Sequence, residues 1–163
     1  FQQALQRSIQ EAERSSGHLV LALLDVDHFK QVNDQWGHEA GDMALQHICQ
    51  ILQQRLRVTD FLGRLGGEEF GLLLRHTDSA GADPLVETLR KQIAEQPLEY
   101  DGAQIALSAT FGLATWPQDG RSAAELYRTA DRRLYSGKQR GRNQLVSADL
   151  PAELLLDKFD VRL

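Results

Sequence analysis

Arg64-Leu65-Gly66-Gly67-Glu68-Glu69-Phe70 decides how the rest of the chain reads. Two runs that suit strands, Asp60 to Leu65 and Glu68 to Leu74, flank Gly66-Gly67, and a two-residue Gly-Gly connection between such runs is a hairpin signal. The turn needs positive φ, which glycine adopts freely, and a backbone without Cβ lets a bulky anion approach its amides. Two carboxylates follow at once, which a purely structural turn does not require. Together they predict a hairpin tip suited to a metal-bound phosphate.

Upstream, Leu19-Val20-Leu21-Ala22-Leu23-Leu24 is an unbroken apolar run that ends in Asp25-Val26-Asp27. Such a run suits a central strand buried on both faces, and acids at its end are placed to hold a ligand at the sheet's edge. Taken alone, Asp25 and Asp27 also read as ordinary strand-end turn acids. If this strand neighbours the hairpin, Asp25 and Glu68 meet, and a magnesium ion needs only one or two carboxylates beside phosphate and water.

The remaining elements follow from periodicity and breakers. Phe1 to about Ser15 reads as a helix. His28 to Asp42 reads as a short helix, a turn at Gly37 and the start of a second helix, whose stripe is Leu45, Ile48, Cys49, Leu52 and Leu56. Cys49 reads there as a core residue. Ser79 to about Glu95 is helical, with Pro84 expected in its first turn. Gln104 to Thr115 reads as one long strand, and Trp116 to Gly120 as a loop. Ser122 and Glu125 form a capping box for a helix whose expected buried stripe is Leu126, Tyr127, Ala130, Leu134 and Tyr135. Gly141 stops that helix, and Asn143 to Val146 reads as a last strand.

The chain has 163 residues, 42% of them hydrophobic and 25% charged, which fits one soluble globular domain. A net charge of −5 argues against a general nucleic-acid or acidic-membrane surface. The longest apolar run, Leu19 to Leu24, is too short to span a membrane. One cysteine excludes an internal disulfide, and a cytoplasmic setting is compatible with it. No histidine pair has zinc-ligand spacing, and no Ser, Cys and His arrangement points to a covalent nucleophile.

Gly66-Gly67-Glu68-Glu69-Phe70 is similar to the signature of GGDEF domains, the diguanylate cyclases of bacterial signalling, in its GGEEF form. Phe29 to Asp42 keeps the family pattern FKxxNDxxGHxxGD without a break. Asp131 to Asn143 matches DxxLYxAKxxGRN, with Gly137 where alanine is usual; glycine costs roughly 1 kcal/mol there, so a looser helix end is expected. The resemblance implies an α+β fold with a central mixed, mainly antiparallel sheet wrapped by helices, related to nucleotidyl cyclase and polymerase palm domains. It covers residues 1 to 146 as the catalytic domain, leaving 147 to 163 as a tail of unknown role, with 151 to 163 a short helix or a frayed end.

The resemblance also implies an activity: two GTP molecules condense to cyclic di-GMP and two pyrophosphates across a two-fold homodimer. It places Mg2+ or Mn2+, two ions per half-site, on Asp25, Glu68 and the Val26 carbonyl, with Glu69 assisting. Asn33 and Asp42 fall on guanine-reading positions, Gly66 and Gly67 on the substrate-binding hairpin, and Lys138 and Arg142 on triphosphate positions. Without it, Asn33 is a possible helix cap, Asp42 a helix-dipole partner, and Lys138 and Arg142 cations at a helix end. Arg57-Val58-Thr59-Asp60 is similar to the family's inhibitory product site, though an RxxD pattern alone reads first as an exposed helix-end salt bridge. The family's usual DxLTGLxNR segment does not precede Phe1, so a longer protein with an N-terminal sensory or input domain, anchored in a membrane or not, is expected. The competing readings are a catalytically silent cyclic di-GMP receptor and a nucleotidyl cyclase that uses ATP or mixed substrates.

Overall fold

A computed structural model describes residues 1–151. In chain order the elements are α1 (Gln2–Ser15), β1 (Leu19–Val26), α2 (Phe29–Trp36), α3 (His38–Arg55), β2 (Phe61–Gly66), β3 (Glu69–Arg75) and α4 (Ser79–Glu95). They continue with β4 (Leu98–Tyr100), β5 (Ala103–Ile105), β6 (Ala109–Trp116), α5 (Ala123–Gln139) and β7 (Leu145–Val146). The expected order holds except between α4 and α5, where one expected strand is replaced by three, and the sheet is the expected mixed, mainly antiparallel one. Its strands run β2-β3-β1-β6-β7, with β6 and β7 the parallel pair.

β1 is central, and all eight of its residues are buried. Val20, Ala22, Leu24 and Val26 face one core with α3 and α4, while Leu19, Leu21 and Leu23 face the other with α1 and α5. Successive side chains of a strand point to opposite faces, so a strand covered on both sides must be apolar throughout. Hence the unbroken run.

Several expectations need correction. The hairpin turn is Gly67-Glu68, not Gly66-Gly67: Gly66 ends β2 opposite Glu69, past a bulge after Arg64, and only Gly67 takes positive φ, at 37°. Pro84 lies in the second turn of α4, whose start is capped by Asp78 Oδ1, which accepts from the Gly81 N–H at 3.0 Å. The supposed strand from Gln104 to Thr115 is two, because residues 106–108 leave the ladder; β5 instead pairs with β4 through Asp101-Gly102, with φ of 48° and 78°. Tyr135 is 64% exposed and Tyr127 half-buried, while Arg133 takes a buried position on α5 at 5% exposure.

That arginine is paired on every side. Its guanidinium donates to Asp119 at 2.9 and 3.0 Å, to the Leu113 carbonyl at 2.8 Å and to Asp149 at 3.3 Å. A buried cation needs such partners. Ser147 donates to Asp83 and Asp149 accepts from Arg132, so the first residues after β7 are bonded to α4 and α5. The expected helix or frayed end over 151 to 163 lies almost wholly outside the described residues.

Gly137 does not loosen α5. A Cβ there would sit 2.7 Å from Thr110 Cγ2 and 3.3 Å from Val146 Cγ2, so the bare backbone lets the helix lie close on β6 and β7. The helix runs on to Gln139, and the Arg142 N–H closes its end on the Gly137 carbonyl at 3.0 Å.

Candidate active site

Strand pairing builds the site. Asp25, next to last in β1, lies opposite Glu69 of β3 on one side and Thr110 of β6 on the other. The Val26 N–H donates to the Glu68 carbonyl at 3.2 Å, fixing the hairpin turn beside the end of β1. The turn is braced by Arg64, whose Nε donates to the Gly67 carbonyl at 2.9 Å. Asp25, Val26, Glu68 and Glu69 are thus gathered from two segments over forty residues apart.

A cation already serves this group. Lys138, in the last turn of α5, is ion-paired with Asp25. Burial pushes the Asp25 carboxyl up; Lys138 opposes that, while Glu68 and Asp27 add to it. Burial also raises Glu69, with Asp25 contributing. Carboxyls pushed up by burial and by neighbouring acids form a site that gains from added positive charge.

Among the described residues no three His, Cys, Asp or Glu side chains form a ready-made metal cage. Magnesium seldom uses one: it takes one or two carboxylates and completes its shell with water and phosphate oxygens. Asp25 and Glu68, with main chain between them, fit that donor set.

Asn33 and Asp42 are brought near each other by Gly41. A Cβ on Gly41 would run into the Asn33 amide oxygen, so α2 and α3 meet there through a glycine, and Asp42 is the next residue along. Asp42 lines a cavity of about 630 Å³ with Gln46, Arg64 and Phe70. Cys49 lines it too, half-buried at the rim of the core rather than within it. Arg142 lies in the turn after α5 with φ of 62°.

Arg57 and Asp60 lie beyond the end of α3, at the end of the sheet opposite Asp25 and Glu69. Asp60 accepts from the Arg57 backbone N–H at 2.9 Å and from its guanidinium at 3.3 Å, and its side chain is fully buried. The same guanidinium donates to the Arg75 carbonyl and to Thr77 Oγ1, both at 2.7 Å. The pair is an ion pair just past the helix end, with the Arg57 side chain 55% exposed, and it lines a cavity of about 440 Å³ shared with His18, Arg55 and His76.

Asp27 is the residue whose role sequence reasoning missed. It is 6% exposed, and both carboxylate oxygens are engaged by Ser108, Thr110 and the Asn143 backbone. An acid two residues after Asp25 was visible; its partners, more than eighty residues away, were not.

An α+β domain that carries acids and a lysine at the tip of its central strands is of the class of solved GGDEF domains. The GGDEF domain of YfiN (TpbB) from Pseudomonas aeruginosa superposes with a TM-score of 0.88 at 31% identity, covering 93% of this chain and 94% of that one. The GGDEF domain of DgcB from Caulobacter crescentus, solved in complex with c-di-GMP, gives 0.85 at 28% identity, covering 92% and 86%. The family described as "Diguanylate cyclase, GGDEF domain" matches residues 1–144, and the chain belongs to it. Diguanylate cyclase DgcP of Pseudomonas aeruginosa is 39% identical over 142 residues, which are 86% of this chain and 21% of DgcP; the chain thus spans about a fifth of that relative's length. No helix among the described residues is long and apolar enough to cross a membrane.

Proposed function

We propose that residues 1 to 146 form the catalytic domain of a diguanylate cyclase, which joins two GTP molecules into cyclic di-GMP and releases two pyrophosphates. The observation that carries this reading is the convergence of Asp25, Glu68, Glu69 and Lys138 at the end of β1. Similarity to DgcP and to a cyclic di-GMP complex of DgcB supports the same substrate class.

Asp25, Glu68 and the Val26 carbonyl would hold Mg2+ or Mn2+, two ions per half-site. Bound there, the ions supply charge neutralisation at the α-phosphate and a lowered pKa for the attacking 3′-hydroxyl. Lys138 moves its charge from Asp25 to the phosphate oxygens, where Arg142 adds a planar fork. Gly66 and Gly67 leave the hairpin bare for the phosphates, and Glu69 holds negative charge beside the reacting group. Asp42 accepts from guanine N1 and N2 donors while the Asn33 amide meets the O6 or N3 region. The product has two-fold symmetry, so two such half-sites facing across a two-fold axis suffice. Cyclic di-GMP gripped by Arg57 and Asp60 would hold domains apart, a coupling between distinct sites. The setting is cytoplasmic, under an N-terminal input domain.

The experiment is mass spectrometry of products after concentrated protein meets GTP and Mg2+, with Glu68→Ala alongside. Cyclic di-GMP from the parent and none from the variant is the expected result. No product from either, with cyclic di-GMP still bound in an Arg57-dependent way, would leave two accounts: a silent receptor, or a cyclase that needs a further module to pair its half-sites.

A further inference from the structure

We propose that Asp27 is a positioning residue for the triphosphate-binding turn: it holds the backbone of Gly141, Arg142 and Asn143 in the shape that presents Arg142. This rests on the reading of Arg142 as a phosphate ligand.

The turn is strained. Gly141, Arg142 and Asn143 have φ of 114°, 62° and 46° in succession, and two of them carry a Cβ. Non-glycine residues in this region persist only where surrounding contacts over-determine them. Before the turn, the Arg142 N–H is fixed to the Gly137 carbonyl. After it, the Asn143 N–H donates to Asp27 Oδ2 at 2.9 Å and to Thr110 Oγ1 at 3.1 Å, and Asn143 Oδ1 accepts from Arg90 at 2.9 Å. Arg142 is thus suspended between two anchors, and on the Asn143 side Asp27 is the charged group that holds the backbone N–H, while Arg90 holds the side chain.

Asp27 is committed to this task. Its Oδ1 accepts from Thr110 at 2.7 Å and its Oδ2 from Ser108 at 2.7 Å as well as from Asn143. Its own N–H is bonded to the Ser108 carbonyl at 2.9 Å, so its base does not swing. Three donors on two oxygens direct this carboxylate at β6 and the turn, leaving ion binding to Asp25. Asp27→Asn keeps the volume but replaces one acceptor oxygen by a donor group. The hydroxyls can rotate to accommodate an amide; the Asn143 N–H cannot.

The test measures binding of a GTP analogue carrying a methylene between its α- and β-phosphates, against binding of guanosine. Asp27→Asn, Arg142→Ala and the double variant are compared with the parent. We expect Asp27→Asn to weaken the analogue about tenfold, as the Asn143 hydrogen bond loses its charge assistance and the hydroxyls must reorient around an amide, with guanosine unchanged. Arg142→Ala should then cost much less in the Asp27→Asn background than in the parent. Thr110→Val, which removes one donor of the same cradle at nearly constant volume, should give a smaller loss of the same kind if Asp27→Asn folds poorly.

Equal losses for analogue and guanosine, or additive effects of Asp27→Asn and Arg142→Ala, would overturn the proposal. So would loss of Mn2+ binding to the nucleotide-free Asp27→Asn variant, read by electron paramagnetic resonance, since that is the mark of a metal ligand. If Arg142→Ala alone left analogue binding intact, the phosphate role of Arg142 would fall, and the inference with it. Amide exchange at Asn143 would still report whether Asp27 anchors the turn.

Discussion

The ring of Phe1 lies against Gly71 of β3, so closely that a Cβ on that glycine would come within 2.5 Å of Phe1 Cζ. The start of α1 is thereby seated on the hairpin that carries the two acids. Gly71→Ala should destabilise the domain by about 1–3 kcal/mol, the usual cost of overpacking. Phe1→Ala in the same chain should return part of that loss. Urea unfolding of the two single variants and the double checks it, and additivity would show that the contact does not hold the hairpin.

Gly137 and Thr110 compete for one space. Gly137→Ala raises helix propensity by about 1 kcal/mol, yet its new methyl would meet Thr110 Cγ2 at 2.7 Å. The clash should win, because the Thr110 hydroxyl is fixed on Asp27 and a β-branched side chain has few other rotamers. Paired with Thr110→Ser, which keeps the hydroxyl, Gly137→Ala should become neutral or stabilising after a small shift of Val146. Chemical denaturation would measure the sign change; no change of sign would refute the shared-space account.

Arg133 links acid stability to α5. Burial alone would raise the Asp119 carboxyl; the Arg133 guanidinium and the Thr115 N–H outweigh it and hold it below the ordinary range. Asp149 is held low chiefly by Arg132, against burial and with help from Arg133. Folded-state values below the unfolded one, about 3.9, supply stability that is complete above that pH and drains as pH falls through the lowered values. Arg133→Met should therefore cost stability at neutral pH, at most about 3–5 kcal/mol since Asp119 keeps some contact with water. It should also lose less than the parent on further acidification below about pH 4. Parallel acid and neutral melts decide it.

Arg57→Ala should leave a domain much less sensitive to added cyclic di-GMP. Its guanidinium joins Asp60, the Arg75 carbonyl and Thr77 in one cradle. Inhibition curves of parent and variant provide the measurement, and unchanged sensitivity would remove this pair from the product site.

If each half-site needs a partner, initial velocity must rise faster than in proportion to protein concentration. A preceding module would normally supply that proximity, so the isolated domain should be a weak catalyst. Strict proportionality across the monomer-to-dimer range would argue against the two-fold arrangement.

How much of this was legible beforehand depends on the range of each signal. β1 could be read from eight residues, because burial on two faces leaves a local mark. The break at residues 106–108 could not, since Ile105 and Leu107 keep alternating across it while the ladder stops. Asp101-Gly102 is by contrast a strong local hairpin signal, and it marks the turn between β4 and β5. At the site, the acids and Lys138 were each visible in their motifs. The direct pairing of Lys138 with Asp25 was not, because it spans 113 residues of sequence. Arg133 was hidden for a different reason: a charged side chain in a buried stripe contradicts the periodicity that reveals the stripe.

The tight seat of α5 on β6 also constrains how this sequence can drift. There is room for one methyl between helix and strand, and at present the strand holds it. A lineage that loses the Thr110 methyl first keeps its fold and can then accept alanine at 137; one that takes the alanine first must cross a weakened form. The two single steps reach the same double variant, yet only one order is open to a domain with little stability to spare.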